Sequence, residues 1–377
     1  MRHSFKFRLY PNTDQRRELG VALETHRRLY NACLDQRKVA YEAEKKSIHY
    51  VEQSAWFKSE RAVNPYFARL NFSSAQATMR RLDKAFVAFF RRCKAGQKPG
   101  YPRFRSRDRY DSVEFPAYGD GIRLNSNRLR VQHVGVVKAK VHREVEGTVK
   151  TATLKREGDK WFVVLSCELP DAPFVPNGKS PIGIDVGIEA FLTTSDGECI
   201  ENPRILRREL PRLRRLQRAV SRKKRGGKNR RKAARRVQVL HARVRNLRQD
   251  FQHKTALDLV RSSGLVAVEG LNIRGMVRNH RLARAISDAA WGGFMNILTY
   301  KAASAGSEVV VVDPRGTSQE CSGCGEVVRK DLSVRRHICL SCGLSLHRDE
   351  NAARNILQRA LLARTGPAGV NVQRDVA

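Results

Sequence analysis

Two Cys-x-x-Cys pairs, Cys321-Ser-Gly-Cys324 and Cys339-Leu-Ser-Cys342, constrain this chain more than any other feature. Each pair places two thiols on one tight turn. Each is followed by a glycine, Gly325 or Gly343, which frees backbone N–H groups to point at the sulfurs. Fourteen residues separate the pairs, so the two turns can close on one another as a tetrahedral four-sulfur site for zinc. One such pair alone would leave a redox dithiol open; two in this register read as a structural zinc ribbon. With all four positions filled by protein, the ion would stabilise a unit too small to fold alone and would have no open position for activating water.

Composition then points to the partner. Over 377 residues, 73 Lys and Arg against 37 Asp and Glu leave a formal charge of +36. Such an excess repels itself unless a polyanion is bound, and nucleic acid is the intracellular polyanion of sufficient charge density. A membrane surface would concentrate the charge in one segment, whereas Arg and Lys here run from Arg2 to Arg374. No apolar run approaches the ~18 residues of a membrane span, and residues 1–10 lack the apolar core of a secretory leader. Hydrophobic residues at 41% suffice for real cores, which excludes global disorder. The length fits about two or three domains. Cys33, Cys93, Cys167 and Cys199 stand singly and are expected as buried thiols.

Along the chain, Phe5, Phe7 and Leu9 alternate as a strand that ends at Pro11-Asn12. Thr13-Asp14 reads as the N-cap of a helix over 15–46, with Leu19, Leu23, His26, Tyr30 and Leu34 among its inner positions. A second helix over 73–94 carries Ala77, Leu82, Phe86, Phe89 and Phe90 as an apolar stripe. Around it, Arg80, Arg81, Lys84, Arg91 and Arg92 form a candidate nucleic-acid face. From 112 to 169 the period falls to two, with strands at 122–124, 129–134, 149–154 and 161–166, the signature of a β-barrel or sandwich. The first strand has no neighbour of its own and is expected to join this sheet across the helices. Residues 175–181 form a linker. A basic helical stretch from 208 to 251, divided at Arg222–Lys228, predicts an antiparallel hairpin or bent pair with Leu210, Leu213, Leu216, Val220, Val237, Leu240, Val244 and Leu247 on its inner face. A solvated coiled coil would need Glu partners that are nearly absent.

Three acids stand at element ends. Asp185 lies in the apolar strand Ile182-Gly-Ile-Asp-Val-Gly, Glu269 closes Leu265-Val-Ala-Val-Glu, and Asp349 opens the amphipathic helix after the zinc ribbon. A carboxylate inside an apolar strand is costly unless paired or metal-bound. From two neighbouring strands and a helix beside them, three carboxylates can converge on two divalent cations about 4 Å apart, the arrangement suited to phosphodiester hydrolysis. Hard oxygen ligands select Mg2+ or Mn2+ over zinc. Taken alone, Gly-Ile-Asp-Val-Gly also fits an actin-like ATPase, which would need phosphate and adenosine motifs that are not found.

These motifs, in this order, resemble the TnpB family of transposon-encoded RNA-guided nucleases, relatives of type V CRISPR effectors and Fanzor proteins. The likeness rests on Phe5-Lys-Phe-Arg-Leu-Tyr-Pro11, Tyr30-Asn-Ala-Cys-Leu34, Leu82-Asp-Lys-Ala-Phe86, Gly100-Tyr-Pro-Arg-Phe104, Gly183-Ile-Asp-Val-Gly187, Val268-Glu-Gly-Leu271, Thr317-Ser-Gln-Glu-Cys-Ser-Gly-Cys-Gly325 and Asp349-Glu-Asn-Ala-Ala-Arg-Asn-Ile356. It implies a bilobed, multidomain α/β and β-barrel fold. Residues 1–12 and 105–178 would form a wedge-like β-barrel, and 13–104 a helical recognition lobe. Residues 179–316 and 346–364 would form a RuvC-like nuclease domain of RNase H fold, 317–345 a zinc-ribbon target-loading domain, and 365–377 a disordered tail. Asp185, Glu269 and Asp349 would be the catalytic ligands of two Mg2+ (or Mn2+) ions, and Cys321, Cys324, Cys339 and Cys342 those of one structural Zn2+.

The activity so implied is guide-RNA-directed cleavage of double-stranded DNA beside a short transposon-adjacent motif, supporting maintenance of the transposon. The protein would be a cytoplasmic, nucleoid-associated prokaryotic monomer with neither membrane nor small-molecule substrate. Arg80, Arg81 and Lys84, with Arg222, Lys223, Lys224, Arg225 and Lys228, would contact nucleic-acid backbone, and Gln76 would fall on the motif-reading surface. Sequence choice beyond the motif is left to base pairing. One position departs: His347 stands where the family often carries the first Asp of Asp-Arg-Asp, while Asp349 is kept, so metal binding is expected to survive. Two alternatives remain at this point. A nuclease-inactive RNA-guided repressor predicts erosion of the acids, all three of which are present; an RNA-independent transposase predicts protein that copurifies no RNA.

Overall fold

The computed structural model describes residues 2–170, 175–331 and 333–365. They fall into two compact units, Met1–Ala172 and Pro173–Ala377. The N-terminal unit runs β1 (Arg2–Tyr10), α1 (Thr13–Glu44), α2 (Tyr50–Val63), α3 (Pro65–Ala68), α4 (Phe72–Lys94), β2 (Ser112–Phe115), β3 (Ile122–Asn125), β4 (Arg128–Val131), β5 (Gly135–Lys140), β6 (Thr148–Glu157) and β7 (Lys160–Glu168). Its seven strands form one antiparallel sheet in the order β2-β6-β7-β1-β5-β4-β3. As expected, β1 joins the later strands across the helices, and its alternation buries Phe5, Phe7 and Leu9. Tyr118 draws the outer strands together: its N–H donates to Lys150 O, and its hydroxyl accepts from Leu124 N and donates to Leu124 O. The sheet is thereby a nearly closed barrel.

The helices of this unit hold four departures from expectation. The cap of α1 is Asn12, one residue earlier than the sequence suggested: its side chain accepts from Gln15 N at 2.8 Å and Gln15 returns the bond, a capping box. Thr13 is already helical. Helices α2 and α3 were not foreseen; buried Arg37 of α1 ties α2 to the helical layer, donating to Gln53 of α2 at 2.9 Å and Asp83 of α4 at 3.0 Å. Of the aromatic stripe on α4, Phe86 is buried and Phe90 is 55% exposed. Cys33 and Cys167 are buried as expected, but Cys93 and Cys199 are exposed.

The C-terminal unit runs β8 (Pro181–Val186), β9 (Ala190–Thr194), β10 (Cys199–Glu201), α5 (Ile205–Ser221), α6 (Lys228–Ser262), β11 (Leu265–Glu269), α7 (Ile273–Met276), α8 (Ala283–Ala289), α9 (Trp291–Ala305), β12 (Glu308–Val312), β13 (Arg336–Ile338), β14 (Ser345–His347) and α10 (Arg348–Thr365). Five strands form a mixed sheet in the order β10-β9-β8-β11-β12, with β8, β9 and β10 antiparallel and β8, β11 and β12 parallel. One face carries α6, α8 and α9 through Ala256, Leu259, Ile286, Phe294 and Leu298. The other carries α10 through Ile356 and Ala360. Helices α5 and α6 pack on each other as the predicted hairpin; of its expected inner positions Leu213, Leu240 and Val244 are buried, Leu210, Leu216, Val220 and Val237 are half-buried, and Leu247 is exposed, because the pair packs along a narrower seam than the apolar spacing suggests. Of the expected tail, only Thr365 lies within the described residues, at the end of α10. Among the described residues no helix is long and apolar enough to cross a membrane.

Candidate functional site

Period two decides which way the acids point. Ile182, Ile184 and Val186 of β8 and Val266 and Val268 of β11 are buried among α6, α8 and α9. The alternate residues, Gly183 and Asp185 on β8 and Leu265, Ala267 and Glu269 on β11, therefore face α10, where Leu265 and Ala267 pack with Ile356 and Ala360. The strands are parallel with Ile184 beside Val268. One residue further on, Asp185 and Glu269 thus stand on neighbouring strands about 4.8 Å apart. Both lie at the carboxyl ends of their strands, where open sheets with parallel strands gather ligands.

Gly183 admits the helix that brings the third acid. A Cβ there would lie 2.1 Å from Ala353 O, so glycine alone lets α10 cross β8 this closely. Asp349 sits in the first turn of α10. Its N–H donates to His347 Nδ1 at 3.3 Å, so His347 serves as a capping acceptor.

The other two carboxylates act on Asp185. Burial, then the charges of Glu269 and Asp349, push the Asp185 carboxyl well above the usual range, while Arg348 pulls it down. Burial also raises Glu269, opposed by the Thr317 hydroxyl and the Arg359 guanidinium. Thr317 Oγ1 donates to Glu269 Oε1 at 2.5 Å. A half-buried set of hard oxygen donors, two of which repel charge on the third, fits divalent magnesium or manganese better than zinc.

The cysteines make a tighter cluster. Cys321 Sγ lies 3.6 Å from Cys342 Sγ and Cys324 Sγ 3.6 Å from Cys339 Sγ. All four sulfurs lie within 4.8 Å of one another, the single such group of metal-ligating side chains among the described residues. Sulfurs ~2.3 Å from a central zinc have tetrahedral edges of about 3.8 Å, so the cluster is dimensioned for that ion. The glycines act otherwise than expected. At φ of +79° and +73°, the N–H groups of Gly325 and Gly343 donate to Cys321 O and Cys339 O, closing each turn. The N–H groups that reach sulfur belong to neighbours: those of Cys342 and Ser341 draw the Cys339 thiol down to about 6.

Two residues that sequence reasoning missed join the clusters. Buried Asn351 of α10 donates to Glu320 O at 2.7 Å and accepts from Ser322 N at 2.9 Å. One turn on, buried Asn355 donates to Thr317 O at 2.8 Å and Glu320 O at 2.7 Å. The signal available was an Asn pair at i and i+4, in register with Ala352, Ile356 and Ala360 on an apolar helix face.

The basic candidates divide. Arg222, Lys223, Lys224, Arg225 and Lys228 are all exposed around the hairpin turn, which Arg230 staples by donating to Val220 O and Lys223 O. Residues 205–262 hold 21 Lys and Arg, against Glu209, Asp250 and Asp258 as the acids. In the N-terminal unit Arg80 and Lys84 are exposed and Gln76 is half-buried. Arg81 is engaged internally, donating to Ser112 O at 3.1 Å and Ser112 Oγ at 3.2 Å beside the Tyr110 ring.

Three family models match along the chain. The OrfB_IS605 model, "Probable transposase", matches 164–280, and "Cas12f1-like, TNB domain" matches 291–356. "Helix-turn-helix domain" matches 1–46, where the structure has β1 and the single helix α1. A Streptomyces pristinaespiralis protein described as "Putative RNA-guided DNA endonuclease" is 37% identical over 386 residues, covering 100% of this chain and 93% of that protein. InsQ of Escherichia coli K12, with the same description, is 29% identical over 374 residues, covering 94% and 91%. Among solved structures, the mini-RNA-guided endonuclease CRISPR-Cas_phi3 aligns with a TM-score of 0.50 at 10% identity, covering 96% and 92%, a likeness of fold. With a relative at 37% identity matched over nearly its whole length, and the OrfB_IS605 model matched alongside it, the chain belongs to the TnpB family.

Proposed function

We propose that this protein is an RNA-guided DNA endonuclease that hydrolyses target DNA at a single RuvC-like site. The observation that carries the reading is the placement of Asp185 and Glu269 on the α10 face of the mixed sheet, with the Asp349 charge acting on Asp185. Sheet order β10-β9-β8-β11-β12, with α10 across β8, supports an RNase H-like assignment for this unit. Two divalent cations, when bound, would supply an activated water and a stabilised leaving oxygen for in-line phosphodiester hydrolysis. Asp185, Glu269 and Asp349 would hold them.

The remaining parts follow the same reading. Cys321, Cys324, Cys339 and Cys342 hold one structural Zn2+. The nearly closed barrel acts as the wedge, α1 to α4 as the recognition lobe, and residues 317–345 as the target-loading ribbon. Guide RNA and target DNA lie against basic surface, including the exposed hairpin turn at Arg222–Lys228. Arg81, committed to Ser112, serves the fold first.

The test is expression with the flanking element, sequencing of copurified RNA, and cleavage of a library with a randomised flank, with and without Mg2+. A defined guide and Mg2+-dependent cutting beside one short motif are expected, lost in Asp185→Ala, Glu269→Ala and Asp349→Ala with guide binding kept. Cutting that needs no RNA would instead support an RNA-independent transposase, and specific binding without cutting a repressor.

A further inference from the structure

We propose that Thr317 is a positioning residue for Glu269, anchored by the α10 asparagine that also grips the cysteine ribbon; the inference rests on the nuclease reading above. Thr317 is 3% exposed and lies four residues before the first zinc ligand. Its hydroxyl has one proton and two acceptors in reach, Glu269 Oε1 at 2.5 Å and Pro314 O at 3.1 Å. The shorter contact falls in the charge-assisted range. A carboxylate oxygen that accepts from a fixed donor loses rotation about its last torsion, so the plane of Glu269 is set before any ion arrives.

That donor is itself fixed from α10. Asn355 Nδ2 holds Thr317 O at 2.8 Å. Arg359, one turn further, donates to Asp313 O at 2.9 Å and Arg315 O at 2.6 Å and pairs with Glu320 at 2.6 Å. The segment between β12 and Cys321 is therefore pinned along its length by the helix that begins with Arg348-Asp349. One helix so sets the position of its own acid and, through Thr317, the orientation of the acid on β11. Outer partners of this kind typically change metal affinity or activity about 10–100-fold when removed.

The experiment uses the full chain with its copurified guide RNA, as wild type, Thr317→Val, Thr317→Ser and Thr317→Ala, in zinc-replete, magnesium-free buffer. Mn2+ binding is read by electron paramagnetic resonance, with the Asp185→Ala complex giving the background from RNA and surface sites. Cleavage is read separately against Mg2+ concentration. Thr317→Val should weaken site-specific Mn2+ binding about tenfold or more and raise the Mg2+ half-saturation by a like factor, at unchanged zinc and RNA content. Thr317→Ser should restore both. Equal Mn2+ affinity in Thr317→Val and wild type overturns the proposal. If Thr317→Val loses zinc or RNA, the Ser and Ala variants, which differ by one oxygen, decide in the same way: equal affinity overturns it and weaker binding by Ala supports it. A wild-type complex that binds no more Mn2+ than Asp185→Ala and cuts nothing would overturn the nuclease reading itself, whereas wild-type binding and cutting matched by Thr317→Val removes only Thr317.

Discussion

Replacing Asp185 by Asn should stabilise the protein in the absence of magnesium while abolishing its cleavage. Burial raises the Asp185 carboxyl most, Glu269 and Asp349 add to it and Arg348 opposes them, so the charges by themselves leave roughly one unbalanced like charge. Two such charges about 6 Å apart at an effective dielectric constant of about 20 repel by about 3 kcal/mol. Partial protonation and nearby solvent relieve some of this, so a gain of about 1–2 kcal/mol is expected, or roughly 2–8 °C in Tm at about 2–4 °C per kcal/mol. The amide oxygen can still accept from Val186 N–H, the bond that the carboxylate accepts in the wild type. The sign follows from the direction of the shift. A carboxyl raised in the fold is favoured neutral there, so its ionisation weakens the wild type as pH climbs from the ordinary Asp value of about 3.9 through the folded-state value. Asn lacks that dependence, so the gap between variant and wild type should be small near the low end and largest at alkaline pH. Calorimetry in resin-treated buffer without chelator, which would leave in place a metal held by the cysteine cluster, measures this directly. Added Mg2+ should then raise the wild-type Tm and leave the variant unmoved. A variant no more stable than the wild type at pH 8, or a gap flat with pH, would refute the reasoning.

Gly183→Ala changes no acid, yet its Cβ would meet Ala353 O at 2.1 Å; a loss of about 1–3 kcal/mol and of cleavage is expected, and full activity in a cutting assay would contradict it. Cys324→Ser should lower the zinc content measured by mass spectrometry and open residues 317–345 to protease; a zinc-free protein that resists protease and cuts normally would remove the metal from the fold. His26 is buried, bonded to Thr78 at 2.9 Å and Ser74 at 3.3 Å, and burial pushes its pKa down to about 3. Its contribution is therefore present above about pH 6.5 and drains by about 1.4 kcal/mol per pH unit as pH falls toward the folded value, a slope that His26→Gln should flatten in urea midpoints measured across that range. Lys223→Gln with Lys224→Gln should reduce the slope of log affinity against log salt by about 0.7–0.9 for each phosphate that is no longer neutralised; an unchanged slope on both RNA and DNA would place the hairpin turn away from the backbone.

What could be read from the residues depended on how strictly they kept a period. β8 and β11 alternate or run apolar without a break, and α10 keeps Ala352, Ile356 and Ala360 on one side, so the three acids could be placed at element ends before any geometry was known. Which face each acid takes follows from the same alternation, but the meeting of the strands depends on the register of Ile184 with Val268, a tertiary fact. Helix α2 escaped because its buried positions include Gln53, a polar residue satisfied by Arg37 and by Cys33 O. β5 escaped because Val136 is exposed and the strand alternates only briefly around Val137 and Ala139. Phe90 misled in the opposite sense: an apolar residue at helical spacing need not be covered. Asn351 and Asn355 look like solvent positions until their amides are seen to replace the backbone partners that Glu320, Ser322 and Thr317 would otherwise lack.

The position of the ribbon in the chain gives those asparagines their significance. It is inserted between β12, neighbour of the strand that carries Glu269, and α10, which carries Asp349. Its first knuckle is fastened by Asn351 and Asn355. Its last strand, β14, ends at His347 and passes without a linker into α10, whose first N–H, on Arg348, donates to Arg335 O at 2.8 Å beside β13. Both ends of the ribbon are thus tied to the first two turns of the same helix, and the closure of four sulfurs over residues 321–342 fixes where that helix starts. On the proposed reading, a metal with no open coordination position would in this way govern a hydrolytic site that it never touches: loss of the knuckle would free the start of α10, and with it the carboxylate of Asp349 and the hydroxyl proposed to orient Glu269.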